Sequence, residues 1–250
     1  MIVDNFVFIL NIIVATMRHV TLWIRTIILT RKQREQSFIK GVLSMEDGLD
    51  FTMDYYDGLK TMRPVNNSSK LKLLEIGGGV GRLFANYPDN CQCYALNCNR
   101  LLEPYFRQNI SKYPTLEFMD YIVGDVEDMY HIGDNSMDAV IWCSVLCSAN
   151  SPTKALKEVM RVLKPGGHIY FSEHCLYPDD SVKHLVLQYF QRSMNGMQRV
   201  IGNGCQLTRK SWVDIERSGF RDLTIIHVVR DDPRAVLFNS WIFGHGVKPQ

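Results

Sequence analysis

Glu75, Gly77, Gly79 and Gly81 fall at alternate positions where an apolar run ends, in the stretch LKLLEIGGGVGRLFANYP. A glycine-rich bend after a strand lets a ligand reach the main chain, because no side chain stands in the way. The dinucleotide fingerprint asks for glycine at its first, third and sixth positions, and counting from Gly77 the sixth is Arg82. No Gly-Lys pair follows, as a nucleoside-triphosphate loop requires. The residues after Gly81 read as a helix start, so Arg82 keeps an anion in play. Glu75, however, would repel a phosphate lying close to it. A carboxylate at this strand end better suits a cationic or hydroxyl-bearing ligand.

The other residues able to do chemistry are sulfurs and imidazoles. Seven cysteines (Cys91, Cys93, Cys98, Cys143, Cys147, Cys175 and Cys205) make an odd number, and none stand as CxxC. That argues against a disulfide framework or a zinc site and for a reducing compartment. The histidines lack HExxH spacing, so no metal is expected. Cys147 reads as an inert buried thiol, with nothing cationic beside it in sequence. His174 divides evenly between packing and chemistry.

These residues must be positioned by a fold, and 250 residues suffice for one main domain with appendages. Hydrophobic residues make up 46% and charged residues 22%, with a formal net charge of +2, too small to indicate nucleic-acid binding. From residue 70 onward, apolar runs alternate with helical patterns. The strand-like runs are Leu71 to Ile76, Gln92 to Leu96, Leu116 to Val123, Asp138 to Cys143 and His168 to Glu173, none with a consistent polar face. Such runs belong to a parallel sheet covered on both sides. SPTKALKEVMRVLKPGG predicts a helix capped by Ser151, with Pro152 in its first turn and an end at Pro165 and the glycines. LTRKSWVDIERSGF predicts another, capped by Thr208 and closed by Gly219. Leu223 to Val229 and Ala235 to Phe243, joined by RDDPR, predict a terminal antiparallel hairpin. The fold class is therefore α/β, a doubly wound seven-stranded sheet, mostly parallel. Its ligands belong beyond the carboxyl ends of the strands, where the strand order switches.

The N-terminus differs in kind. FVFILNIIVATM (residues 6–17) is nearly all apolar, and Arg18 and Arg25 then interrupt a second apolar run. Together the runs reach the ~20 residues that cross a hydrocarbon core. The two arginines, seven apart, share a helical face from which their heads can reach lipid headgroups. We expect residues 1–35 to form a hydrophobic membrane anchor, either spanning or lying in one leaflet. The basic residues follow the apolar run, including Arg31, Lys32 and Arg34, which places the remainder on the cytosolic side. Residues 36–69 form a connector with a covering helix. Residues 70–250 form the main domain, in which 176–206 is an insertion over the substrate.

Several stretches in the right order carry a family resemblance: the glycine loop, GDVEDM at 124–129, DAVIWCSVLCS at 138–148 and EVMRVLKPGGHIYFSEH at 158–174. They resemble the Rossmann-like S-adenosylmethionine-dependent methyltransferases. VLCS, YFSEH, GCQLTRKSW and the closing IFGHGVK narrow this to the membrane-associated thiol S-methyltransferases, the methyltransferase-like seven group. The resemblance spans about residues 70–250. It implies S-adenosylmethionine held by Gly77, Gly78, Gly79 and Gly81, with Glu75 orienting the methionine portion. It places Asn97 at the ribose, where relatives carry an acid, and Asp125 and the Val126 backbone at the adenine. The backbone of Cys143 contacts the methionine end, and Glu127 matches a family acid without an assigned role.

The implied reaction transfers a methyl group to the sulfur of a small lipophilic thiol, at the endoplasmic reticulum or lipid droplet. The nucleophile is the thiolate, and a free thiol titrates near ~8.5. A dry pocket favours the collapse of opposite charges yet depletes the thiolate. His174 is the first candidate to assist deprotonation, with Arg209 behind it. Leu185, Leu187, Tyr189, Phe190 and Met194 are expected to line the substrate's chamber. Two other readings stay open: methylation of a lipid, quinone or phenol, and an inactive membrane-bound interaction protein, which the amide at Asn97 favours. No nucleic-acid partner is expected.

Overall fold

The computed structural model describes residues 2–28, 33, 36, 39–40, 42, 56–65, 70–233 and 235–250. The basic cluster Arg31, Lys32 and Arg34, most of the 36–69 connector and Arg234 of the hairpin turn lie outside them. Among the described residues, seven strands form one sheet: β1 (Lys72–Ile76), β2 (Gln92–Asn97), β3 (Glu117–Val123), β4 (Met137–Cys143), β5 (Leu163–His174), β6 (Arg221–Val229) and β7 (Ser240–Val247). Their order is β3-β2-β1-β4-β5-β7-β6. The first five run parallel, and β7 is antiparallel to both β5 and β6. The order reverses between β1 and β4, where Ile76 pairs with Trp142.

Side-chain alternation explains why no strand in the middle shows a polar face. Leu74, Val140, Trp142, Ile169 and Phe171 enter one buried cluster. Leu73, Ala95, Ile141 and Tyr170, one residue out of phase, enter a second. One layer of the first is α4 (Pro152–Val162), whose Ala155, Leu156, Val159 and Val162 are buried at helical spacing. Ser151 caps it, its Oγ accepting from Lys154 N. On the other side lie the short α2 (Asp57–Lys60) and α3 (Glu103–Ile110). Tyr56, just before α2, is fully buried and its hydroxyl donates to Ser172 Oγ at 2.9 Å.

Four expectations shift. The helix expected after Gly81 reduces to a single 3₁₀ turn, Phe84–Asn86. Pro88 disfavours helical geometry at Tyr87, which is extended at φ −76° and ψ 147° and ends the turn. β5 begins at Leu163, before the Pro-Gly-Gly expected to end the preceding helix. Thr208 caps nothing. Arg209 O accepts from Leu176 N at 2.9 Å, which keeps this stretch extended, so α6 (Ser211–Glu216) starts later, with Lys210 at its cap position and no side-chain bond there. Finally, Val236–Phe238 is a 3₁₀ turn, and β7 runs four residues past Phe243. It continues through Gly244 because a Cβ there would stand 2.0 Å from Thr224 O and 2.5 Å from the Phe171 ring.

α1 (Ile2–Ile28) is one continuous helix whose stretch Val7–Arg25 is long and apolar enough to cross a membrane. It packs on α5 (Val182–Ile201), the long helix of the 176–206 segment. Ile12, Leu187, Tyr177 and Val236 form a buried cluster, with Phe8, Ala15 and Phe190 against it. This differs from the expected substrate lining: Leu187 is covered by α1, and Leu185 and Tyr189 are exposed. The face that α5 turns inward is partly polar. Gln191 accepts from Tyr177 N and donates to the carbonyls of Cys175 and Leu237.

Candidate active site

The loop after β1 bends as its glycines suggest. Gly77, Gly79 and Gly81 hold φ of +66°, +55° and +77°, which side chains rarely adopt. A Cβ on Gly77 would lie 2.4 Å from Val145 Cγ2, so the loop is in close contact with the segment after β4. A Cβ on Gly78 would lie 2.5 Å from the Glu75 carboxyl carbon. Asn109 of α3, which sequence reasoning missed, ties the loop down by donating to the carbonyls of Val80 and Gly81 at 3.0 and 2.9 Å. Nothing in the sequence of this helix, where Gln108 stands beside it, singles Asn109 out in advance.

Glu75 is buried, and Tyr87 Oη donates to its Oε2 at 2.5 Å. Burial pushes its pKa up to about 8, although the tyrosine hydrogen bond pulls the other way. A buried carboxyl with one neutral donor is ready to ionise when a cation arrives. An anion finds no such welcome. The 3₁₀ turn offers no helix dipole, and the Arg82 guanidinium donates to Val42 O.

The remaining expected cofactor residues gather along the same sheet edge. Asn97 ends β2, nearly buried, with its Oδ1 accepting from Asn99 N at 2.9 Å. Asn97 O accepts from Gly124 N at 3.2 Å, which places the 124–129 turn beside it. Asp125 is exposed in that turn, its Oδ1 accepting from Glu127 N at 2.9 Å, and Val126 packs partly into the core. Cys143 closes β4, and burial raises its thiol pKa. Glu127 acquires a structural role. Its Oε1 accepts from Asn150 N and Ser151 N at 2.6 and 3.0 Å, placing a negative charge at the start of α4.

A second constellation lies next to the first. His174, the last residue of β5, has its Nε2 3.0 Å from Cys205 Sγ. Cys147, Cys205 and His174 each offer a donor atom within 4.8 Å of the others, and all three are buried. Glu173 builds the frame beneath them. Its Oε1 accepts from Val145 N and Leu146 N, both at 2.7 Å, and its Oε2 from Cys147 N at 3.2 Å. Burial raises its pKa to about 7, against the opposing charge of His174 and these backbone donors. Gln206 N donates to Cys147 O at 3.0 Å, joining the third segment to the first. Gln198 of α5 bonds Cys205, and His19 Nε2 of α1 donates to Gln198 Oε1 at 2.9 Å. A hydrogen bond from Cys147 and the nearby imidazole favour the Cys205 thiolate, against the cost of its burial. The sequence spacings of 27 and 31 residues match no short metal or nucleophile motif, so only folding brings these three together. Arg209 lies apart from this chemistry, its guanidinium donating to Ala149 O.

Residues 74–171 match the family model described as a methyltransferase domain. Thiol S-methyltransferase TMT1B of Rattus norvegicus is 38% identical over 158 residues, which is 63% of this chain and 63% of that protein. Thiol S-methyltransferase TMT1A of Homo sapiens is 34% identical over 182 residues, 72% of each chain. The chain belongs to the thiol S-methyltransferase family. Its match thus spans somewhat under two thirds of TMT1B and somewhat over two thirds of TMT1A. The fold likeness is broader than the family. Phosphoethanolamine N-methyltransferase 2 of Haemonchus contortus, solved with phosphomonomethylethanolamine and S-adenosylhomocysteine, superposes with a TM-score of 0.59 at 15% identity, covering 85% of this chain and 58% of that one. The sheet is therefore that of the Rossmann-like methyltransferases, as the sequence motifs imply.

Proposed function

We propose that this member of the family uses S-adenosylmethionine to methylate the sulfur of small lipophilic thiols at a membrane surface. The observation that carries the reading is the bare loop at Gly77 to Gly81, set against a buried carboxyl on one side and Asn97 and Asp125 on the other, at the switch point of the sheet. Positive φ at Gly77, Gly79 and Gly81, and the close seating of Gly77, Gly78 and Gly81 against Val145, Glu75 and Phe84, hold the main chain in a bend that residues with side chains would not keep, and Glu75 suits a cationic amino acid portion. Glu75 and the glycine backbone hold the methionine portion, with the backbone of Cys143 at its end. Asn97 holds the ribose hydroxyls, and Asp125 with the Val126 backbone holds the adenine. The bound cofactor supplies an electrophilic methyl group on a sulfonium.

The protein's largest contribution is to hold the acceptor sulfur in line with that methyl, which is worth up to ~7 to 11 kcal/mol. Deprotonation of the acceptor falls to the cluster that contains His174. Access for an apolar thiol is by way of α1 and α5, between which Phe8, Ile12, Val186 and Phe190 line an apolar groove of about 300 Å³. Ile9, Ile13 and Met17 of α1 wall the same groove and are themselves exposed, as are Leu10 of α1 and Leu185 and Tyr189 of α5, an apolar display suited to lipid. Arg18 and Arg25, both exposed, are placed to meet headgroups, with the main domain in the cytosol and the endoplasmic reticulum or lipid droplet as the membrane.

Detergent-solubilised full-length protein incubated with methyl-labelled cofactor and a panel of alkyl thiols, phenols and lipids tests this. The expected product is the labelled thioether; label in a phenol or lipid instead would overturn the substrate class. Asn97 favours a second reading, a membrane-bound chain that keeps the fold without turnover. Calorimetry with S-adenosylmethionine separates the two, since absent binding leaves only the second.

A further inference from the structure

We propose that Cys147, His174 and Cys205 form a zinc site with one open position, and that this position takes the acceptor thiol as its thiolate. The inference rests on the thiol-methylation reading above and supplies the deprotonating device that reading needs.

Geometry comes first. Tetrahedral zinc with Zn–S near 2.3 Å and Zn–N near 2.05 Å sets its ligand atoms about 3.6 to 3.8 Å apart. The three donor atoms here already lie within 4.8 Å of one another, and His174 Nε2 and Cys205 Sγ within 3.0 Å, so closing on an ion takes shifts of about an ångström or less. Two thiolates and one imidazole are a donor set of the catalytic kind, with three protein ligands and room for a fourth. The three side chains come from separate segments that are bonded to each other. Glu173 fixes the amide of Cys147 while standing next to His174, and Gln206 N fixes the carbonyl of Cys147 while standing next to Cys205. The imidazole is packed edge-on against Phe238 and Trp241, with ring centroids at 5.2 and 6.0 Å, which sets its plane. Its Nδ1 is buried without a hydrogen-bond partner, and its Nε2, the nitrogen that would ligate, faces Cys205 Sγ.

Charge argues the same way. Two thiolates neutralise Zn²⁺, so the loaded core is neutral and cheap to bury; a bound substrate thiolate makes it an anion, opposite in sign to a sulfonium. Position completes the case. Val145, two residues before Cys147, touches Gly77, so the cluster adjoins the glycine loop.

The step balances without a further reagent. The thiol binds zinc through sulfur and its proton leaves to solvent. A sulfur lone pair then forms the new S–CH₃ bond as the sulfonium's C–S bond breaks and returns its electron pair to the cofactor's sulfur. The product thioether is neutral and a weaker ligand, and it departs.

Full-length protein purified in detergent, under reducing and chelator-free conditions, is expected to carry about one zinc per chain by plasma mass spectrometry. Stripped protein titrated with Co²⁺ should give a sulfur-to-metal charge-transfer band and intense tetrahedral d–d bands, and 2-mercaptoethanol should shift the d–d bands. Cys147→Ser and Cys205→Ser should lower zinc affinity by about 100-fold or more while leaving S-adenosylmethionine binding by calorimetry unchanged. A metal-free preparation whose stripped form shows no cobalt bands overturns the proposal. So does undiminished thiol methylation by the stripped protein, or a Cys147–Cys205 disulfide in freshly isolated chain. The cobalt titration uses the unaltered protein, so it decides even if the variants fail to fold. Zinc-loaded protein that shows the thiol-induced spectral shift but methylates no thiol would instead count against the functional reading.

Discussion

Glu75 turns burial into a pH response. Its folded pKa of about 8 lies above that of an exposed glutamate, so the folded chain keeps a proton that the unfolded chain gives up as pH rises. Stability contributed by this group is therefore full below about pH 4.5 and lost as pH climbs towards about 8, by up to roughly 5 kcal/mol. Glu75→Gln should accordingly be more stable than the parent at pH 9 in thermal unfolding, and the gap should shrink at pH 5. A cation bound beside Glu75 reverses the preference. Cofactor binding at pH 7 should release close to one proton, measured as the dependence of calorimetric heat on buffer ionisation enthalpy, and the release should vanish in Glu75→Gln. Asn97 offers a second residue-scale check. On the proposed reading, in which Asn97 holds the ribose, Asn97→Asp adds a charge-assisted bond worth about 1 kcal/mol and should tighten S-adenosylmethionine binding by about fivefold.

Among the elements, α4 and its surroundings show how an acid with no evident task can hold a helix in place. Glu127 accepts two of the backbone N–H groups at the start of α4 from a separate turn, so Glu127→Ala should cost about 1 to 2 kcal/mol in denaturant unfolding. Glu127→Gln should cost less, because the acceptor remains while the charge is lost. Elements such as α4 were legible because one physical rule governed each. Ser151 and Pro152 mark its start, and buried residues at helical spacing mark its face. β1, β2 and β4 were legible as short, mainly apolar runs without a consistent polar face. Where rules competed, reading failed. Gly244 looks like a strand end until Thr224 and Phe171 are seen to need the space, and the stretch after Gly81 looks helical until Pro88 is weighed. The glycine loop could be read locally because its residues are consecutive. The Cys147, His174 and Cys205 cluster could not, because its spacing is set by how β4, β5 and α5 end together.

At the scale of the whole molecule, the packing of α1 on α5 decides which residues of α1 stay exposed. Arg18 and Arg25 are exposed and take no part in that packing, so Arg18→Glu combined with Arg25→Glu should spare the fold. Each arginine near an anionic surface is worth about 1 kcal/mol, so the double variant should bind phosphatidylserine-containing vesicles at least tenfold more weakly in co-sedimentation. Its circular dichroism should match the parent. The same packing places the carboxamide of Gln198 between His19 and Cys205. Mechanical detachment of the leading helix would thus free that amide to rotate and withdraw a hydrogen bond from sulfur, making the thiol a reporter of whether α1 is still docked on α5.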